Sequence, residues 1–230
     1  MSISIPLAKA LEKAHYRNQK GIYFSGMRVA KGAVLLHSDI IHDCFWNYAT
    51  EINTTSEKTD ELIQEIILFY RRKRRQPCIY LTPFSNPVDM SKHLEARGFR
   101  LHHKGEWMVQ EREISPVKRP RDLIVRRVKS DTEMEMFIKV FYEAFGRTSD
   151  DEPHGQLPPT YAEALRLSFR NPPRRTSIIN YLGLLNEEPA GIGTLASSDG
   201  FGGIYNIATS PKYQRRGIGS LISVTAVEDS

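Results

Sequence analysis

Apolar residues fall at Met134, Phe137, Phe141 and Ala144, which places them on one face of a helix. Ser130-Asp131-Thr132-Glu133 stands ahead of them as a capping box, so the pattern predicts a helix over Glu133–Phe145. A second helix is predicted over Thr160–Phe169 and is stopped by Pro172-Pro173. The pattern then changes to β-forming runs at Ser177–Leu185, Ala190–Ala196 and Gly203–Ala208. Asn186-Glu187-Glu188-Pro189 and Ser197-Ser198-Asp199-Gly200 separate these runs and read as hairpin connections. Leu123-Ile124-Val125 predicts a strand ahead of both helices. After the last strand, Ile218, Leu221, Ile222 and Thr225 recur at helical spacing.

The upstream half gives a similar alternation. A short helix is predicted near Leu7–Tyr16, with strands at Gly21–Ser25 and Ala33–Leu36 and then a loop holding Phe45-Trp46-Asn47-Tyr48. Leu62, Ile63, Ile66, Ile67 and Tyr70 make the apolar stripe of a helix that opens after a capping box at Thr54-Thr55-Ser56-Glu57 and is stopped by Pro77. A strand at Cys78–Leu81, a helix over Val88–Arg97 ended by Gly98 and a strand through Trp107–Val109 follow. The two prolines and the charges of Glu111–Asp122 read as a linker. The expected domains are residues 1–110 and 123–230, joined by 111–122. Trp46 and Trp107 are expected to pack rather than to clamp a ligand.

Composition narrows the class. The chain has 230 residues, 40% of them hydrophobic, enough for a sizeable core. No apolar run approaches the roughly 18 residues of a membrane span, and the first twenty residues carry no signal-peptide core. Cys44 and Cys78 form no disulfide framework and have no metal-ligand spacing, so a reduced, cytoplasmic setting is expected with no metal. Cys44 follows His42-Asp43, but neighbours in sequence rarely make a triad, and all three read as loop and core residues. The net charge of +5 equals the contribution of the single run Arg71-Arg72-Lys73-Arg74-Arg75. A cluster at a helix end complements the dipole, and the broad basic face with interleaved aromatics that nucleic acid needs is not evident.

The segment Gln214-Arg215-Arg216-Gly217-Ile218-Gly219 sits between the run Gly203–Thr209 and the last helical pattern. Two glycines there remove Cβ atoms, and successive N–H groups at a helix N-terminus suit a phosphate or pyrophosphate. Arg215 and Arg216 add charge. The pattern lacks the third glycine and the downstream acid of the dinucleotide fingerprint, and the Gly-Lys-Ser/Thr ending of a P-loop. Gln-x-x-Gly-x-Gly preceded by Thr-Ser-Pro-Lys-Tyr resembles the acyl-CoA signature of the GNAT N-acetyltransferase superfamily. The order strand, helix, helix, three hairpin-linked strands, glycine loop and helix is similar to the first two-thirds of that fold.

The resemblance implies an α+β fold, a mostly antiparallel central sheet flanked by helices, in tandem: Leu94-Glu95-Ala96-Arg97-Gly98-Phe99 resembles a segment near the end of such domains, so residues 1–110 look like a degenerate copy. It implies transfer of an acetyl group from acetyl-CoA to a primary amine of a small molecule or peptide, by direct attack in a ternary complex. Main-chain groups of Ile207, Ala208 and Thr209 would pair with pantetheine and supply the oxyanion donor. The amides of Arg215, Arg216, Gly217, Ile218 and Gly219, with Gln214 and the Ser220 hydroxyl, would hold the pyrophosphate. Relatives carry a glutamate on the strand before the glycine loop; here that strand reads Ile204-Tyr205-Asn206-Ile207, leaving Tyr205 or Asn206 to order a relay water. Asp150, Asp151, Glu152 and His154 lie in a loop that borders the acceptor site in relatives. The resemblance also implies about two further strands and a helix, with a proton-donating tyrosine, beyond the point where the chain stops at Ser230. Truncation is the first expectation, ahead of a short natural chain or completion by residues 57–110, whose helix-strand-helix-strand reading matches the missing order. A rival expectation is a CoA-binding or scaffolding protein that kept the fold without the chemistry. An incomplete sheet would leave an edge that invites a homodimer.

Overall fold

The computed structural model describes residues 4–110, 117, 120–146 and 157–230. Contacts divide the chain into two compact units: Met1–Lys9 with Tyr23–Glu113, and Ala10–Ile22 with Ile114–Ser230. The first helix, α1 (Ile5–Gln19), therefore contributes its second half to the C-terminal unit.

In the N-terminal unit, β1 (Gly26–Ala30), β2 (Ala33–His37) and β3 (Tyr48–Thr50) form an antiparallel sheet in chain order. Helix α2 (Thr59–Arg72) and the short α3 (Met90–Glu95) complete its core. Leu35 and Ala49 meet Leu62, Ile63, Ile66 and Tyr70 there, joined by Met90 and Leu94. The buried Tyr70 hydroxyl donates to the Leu36 carbonyl at 2.9 Å, so its polar atom is satisfied inside the core. The end of α3 follows the sequence: Gly98 is left-handed at φ +81°, Phe99 N donates to Leu94 O and Gly98 N to Glu95 O, a Schellman closure. The basic run is partly an internal clamp. The Arg75 guanidinium donates to the carbonyls of Ser38, Asp39 and Lys73, and Lys73 approaches Asp39 at 3.7 Å.

Three expected strands of this unit take another form. Gly21–Tyr23 is a turn and Phe24 makes only an isolated bridge, because Tyr23 and Phe24 bury their rings against Trp46 at 4.2 and 5.3 Å instead of entering a ladder. Cys78–Leu81 makes one parallel bridge, Ala49 to Ile79, since β3 is too short to pair further. Trp107–Val109 lies in irregular chain, where Trp107 Nε1 donates to the Tyr80 hydroxyl at 3.1 Å and Met108 is 98% exposed. The capping box expected at Thr54–Glu57 is also replaced: Ser56–Lys58 forms a 3-10 turn, and Thr55 caps it with no side-chain hydrogen bond.

The C-terminal unit runs β4 (Leu123–Arg127), α4 (Asp131–Phe145), α5 (Thr160–Arg170), β5 (Ser177–Leu185), β6 (Glu188–Ser198), β7 (Phe201–Thr209) and α6 (Ile218–Glu228). Its sheet is antiparallel in the order β4-β5-β6-β7, flanked by helices, so the whole is an α+β fold. Ser130 Oγ accepts from Glu133 N at 3.2 Å while the Glu133 carboxylate accepts from Lys129 N at 2.7 Å, a capping box displaced by one residue at its return bond. Both hairpins are tighter than their sequences suggest. Their loops are Asn186-Glu187 and Asp199-Gly200, every residue at positive φ, the geometry that matches strand twist. Leu123, Tyr181, Leu195, Ile218, Ile222 and Ala226 knit sheet and α6 together. Most of the linker expected at 111–122 and all of the acidic loop Asp150–His154 lie outside the described residues.

Candidate acyl-CoA site

Close packing of α6 on the sheet depends on glycine. A Cβ on Gly191 would stand 2.5 Å from Ile218 Cγ2, and one on Gly193 would stand 2.6 Å from Ile222 Cγ2. Opposite Gly193 the ladder slips: Ile192 pairs with Ala208 but Thr194 with Tyr205, so Asn206 and Ile207 face a single residue. Asn206 takes φ +54°, a conformation that asparagine tolerates. Its Nδ2 donates to Thr194 Oγ1 at 3.1 Å, and Thr194 Oγ1 donates to Asn180 Oδ1 at 2.8 Å. Beyond the bulge Ile207, Ala208 and Thr209 run along the edge strand of the sheet, and among the described residues no strand pairs with their outer side.

The chain leaves β7 through the buried Ser210, whose N–H donates to Ala190 O at 2.9 Å, and turns through Pro211–Tyr213. Arg215 and Gly217 are both left-handed, at φ +64° and +76°, either side of Arg216. Such alternation turns consecutive N–H groups into a concavity for an anion. Gly217 is the N-cap of α6 and brings no side-chain acceptor, so the helix opens with its first amides unclaimed by a cap. Residues 214–217 and Ser220 are exposed, while Ile218 anchors the turn from below. A cavity of ≈ 270 Å³ lies here, lined by Thr209, Gln214, Arg215, Gly217, Ile218, Gly219 and Ser220. Of the other expected ligand residues, Arg216 lies 5.7 Å above the Tyr213 ring, Ala208 is buried, and Ile207 packs against Gly193. Glu188 accepts from Lys212 and Tyr213, which holds its carboxyl below the usual range.

Tyr205 points elsewhere. Its ring covers Gly203 and meets His15 of α1 at 5.6 Å. Burial pushes its hydroxyl up to about 12, partly offset by the side chains of Asn18 and Gln19, so it keeps its proton at neutral pH. The same burial lowers His15 to about 4 and keeps it neutral. Asn18 also donates to Phe201 O and accepts from Ser198 Oγ at 2.6 Å, and Arg17 pairs with Asp199 at 2.6 Å. Sequence reasoning assigned α1 to the other domain and missed these neighbours. Their only signal is polar residues at 15, 18 and 19 on one helical face, which ordinarily marks a solvated surface.

Residues 135–229 match the model of the acetyltransferase (GNAT) family. Among solved structures, a GCN5-related N-acetyltransferase from Kribbella flavida is similar with a TM-score of 0.67 at 18% identity, over 100% of this chain and 81% of that one. A functionally unknown conserved protein from Staphylococcus epidermidis ATCC 12228 gives 0.58 at 12% identity, over 89% of this chain and 79% of that one. At such identities the likeness is one of fold. No curated protein matches the chain. The match to the GNAT family model thus falls within the C-terminal unit, and the likeness to the solved structures is one of an acyltransferase fold.

Proposed function

We propose that this chain moves an acetyl group from acetyl-CoA to a primary amine by direct attack in a ternary complex. The observation that carries this reading is the uncapped N-terminus of α6, opening into a cavity beside two left-handed residues. Amides of residues 215–219 would hold the pyrophosphate, with Gln214 and the Ser220 hydroxyl beside them and Arg215 and Arg216 supplying positive charge. The open edge at Ile207–Thr209 would pair with pantetheine as an added strand and direct one N–H at the thioester oxygen as it gains charge. Holding thioester and amine together supplies most of the acceleration. Tyr205, protonated at neutral pH, is suited to donate rather than to accept, so the amine proton leaves through ordered water near the Asn206 bulge. On the same reading residues 1–110 are a degenerate copy of the domain, and the acceptor is a small-molecule or peptide amine.

One observation favours a second reading, a CoA-binding or scaffolding protein without catalysis: β7 carries no carboxylate from Phe201 to Thr209. Thiol release from acetyl-CoA in the presence of an amine panel separates the two. Release that rises with amine concentration supports transfer. CoA binding with no amine-dependent release supports the second reading, and no CoA binding at all removes both.

A further inference from the structure

Cys44 and Cys78 are both free and partly exposed, and the fold brings them together. Cys44 begins the 3-10 turn Cys44–Trp46, whose entry is fixed by the Asp43 carboxylate accepting from Phe45 N at 3.0 Å. Trp46 is held in turn by its stacking on Tyr23. Cys78 arrives from the far end of α2. Its carbonyl accepts from Ala49 N at 2.9 Å, and Ile79 bridges Ala49. Both backbones are thus anchored around β3, close enough for the two thiols to interact. The pair is polarised. The interaction with Cys78 holds the Cys44 thiol below its ordinary range, against burial and the Asp43 charge, while Cys78 is pushed up by that interaction and by burial.

We propose that Cys44 and Cys78 form an oxidant-sensitive dithiol that a peroxide converts to an intramolecular disulfide. Cys44 Sγ, as the thiolate, attacks a peroxide oxygen; the S–O bond forms, the O–O bond breaks, and the displaced oxygen takes a proton from solvent to leave as alcohol or water. Cys78 Sγ then attacks the sulfenic sulfur; the S–S bond forms, the S–O bond breaks, and hydroxide departs with the Cys78 proton as water. The two thiols lose two electrons and the peroxide gains them. A resolving thiol already within reach intercepts the sulfenic acid before a second peroxide can reach it.

The full chain, reduced and freed of reductant, is exposed to hydrogen peroxide, quenched with iodoacetamide and read by intact mass and peptide mapping. The expected result is a loss of about 2 Da, no alkylation, a peptide linked between residues 44 and 78, and reversal by dithiothreitol. Cys78→Ser is expected to stall at a sulfenic acid on Cys44 that dimedone traps, whereas Cys44→Ser leaves residue 78 unoxidised at the same dose. Two alkylatable thiols surviving in the native chain would overturn the proposal, as would disulfides found only between chains or oxygen added at Cys44 without a cross-link. The native-chain mass stands without the serine variants should either fail to fold. Its outcome is independent of acyl transfer.

Discussion

Gly217 and Gly219 occupy one bend, yet the backbone demands different things of them. Gly217 needs a left-handed φ of +76°, so alanine there should cost about 1–2 kcal/mol whether or not a ligand binds. Gly219 has no such constraint: a Cβ would meet Thr209 Oγ1 at 3.5 Å and Ile207 Cγ2 at 3.7 Å, ordinary contact. Gly219→Ala is therefore expected to keep its stability within about 0.5 kcal/mol, and Gly219→Val to lose CoA binding at least tenfold, by denaturation and calorimetric titration. A valine variant with native affinity would locate the diphosphate elsewhere. His15 makes a pH-dependent prediction. Its folded value of about 4 lies below the unfolded 6.5, so between them the unfolded chain binds the proton more readily. Stability should be full above that window and fall by up to roughly 3 kcal/mol as pH drops through it. His15→Phe should flatten this slope in denaturant melts; equal slopes would show that His15 is not shielded. The bend was legible from its spacing alone, because glycine requirements are local. The enclosure of Tyr205 was not, since its partners lie about 190 residues earlier in the chain.

Helices announced themselves through caps and stripes. Ser130 and Thr54 stood equal in the sequence as the first residues of capping boxes, but only Ser130 meets an orphan amide, and the upstream turn is capped one residue later by Thr55 without a side-chain bond. Ser130→Ala should cost about 1 kcal/mol and Thr55→Ala under ~0.5 kcal/mol, read as shifts in denaturation midpoint. Comparable losses at both sites would mean that Thr55 caps its turn in solution. Strands were harder to read. Ser177–Leu185 and its two successors emerged because long runs with turns between them leave little alternative. Tyr23-Phe24 and Cys78–Leu81 misled because β-formers are also the residues that bury best, and burial needs no ladder. The register slip at Asn206 had no sequence signature beyond an asparagine in a strand.

At the scale of the chain, the order of elements in residues 123–230 was readable, but the membership of Ala10–Ile22 was not. Asn18, Arg17 and His15 bind Phe201, Asp199 and Tyr205, contacts that no local pattern encodes. A fragment spanning residues 114–230 should therefore melt lower than the same fragment given an excess of a synthetic peptide of residues 10–22. No shift on adding the peptide would mean that the C-terminal unit stands without it. The same discontinuity bears on biosynthesis. Residues 10–22 leave the ribosome well before Phe201–Thr209, a delay of about 10–40 s at 5–20 residues per second. During that interval the nascent chain holds an amphipathic segment with no mate, which makes it a ready client for a chaperone.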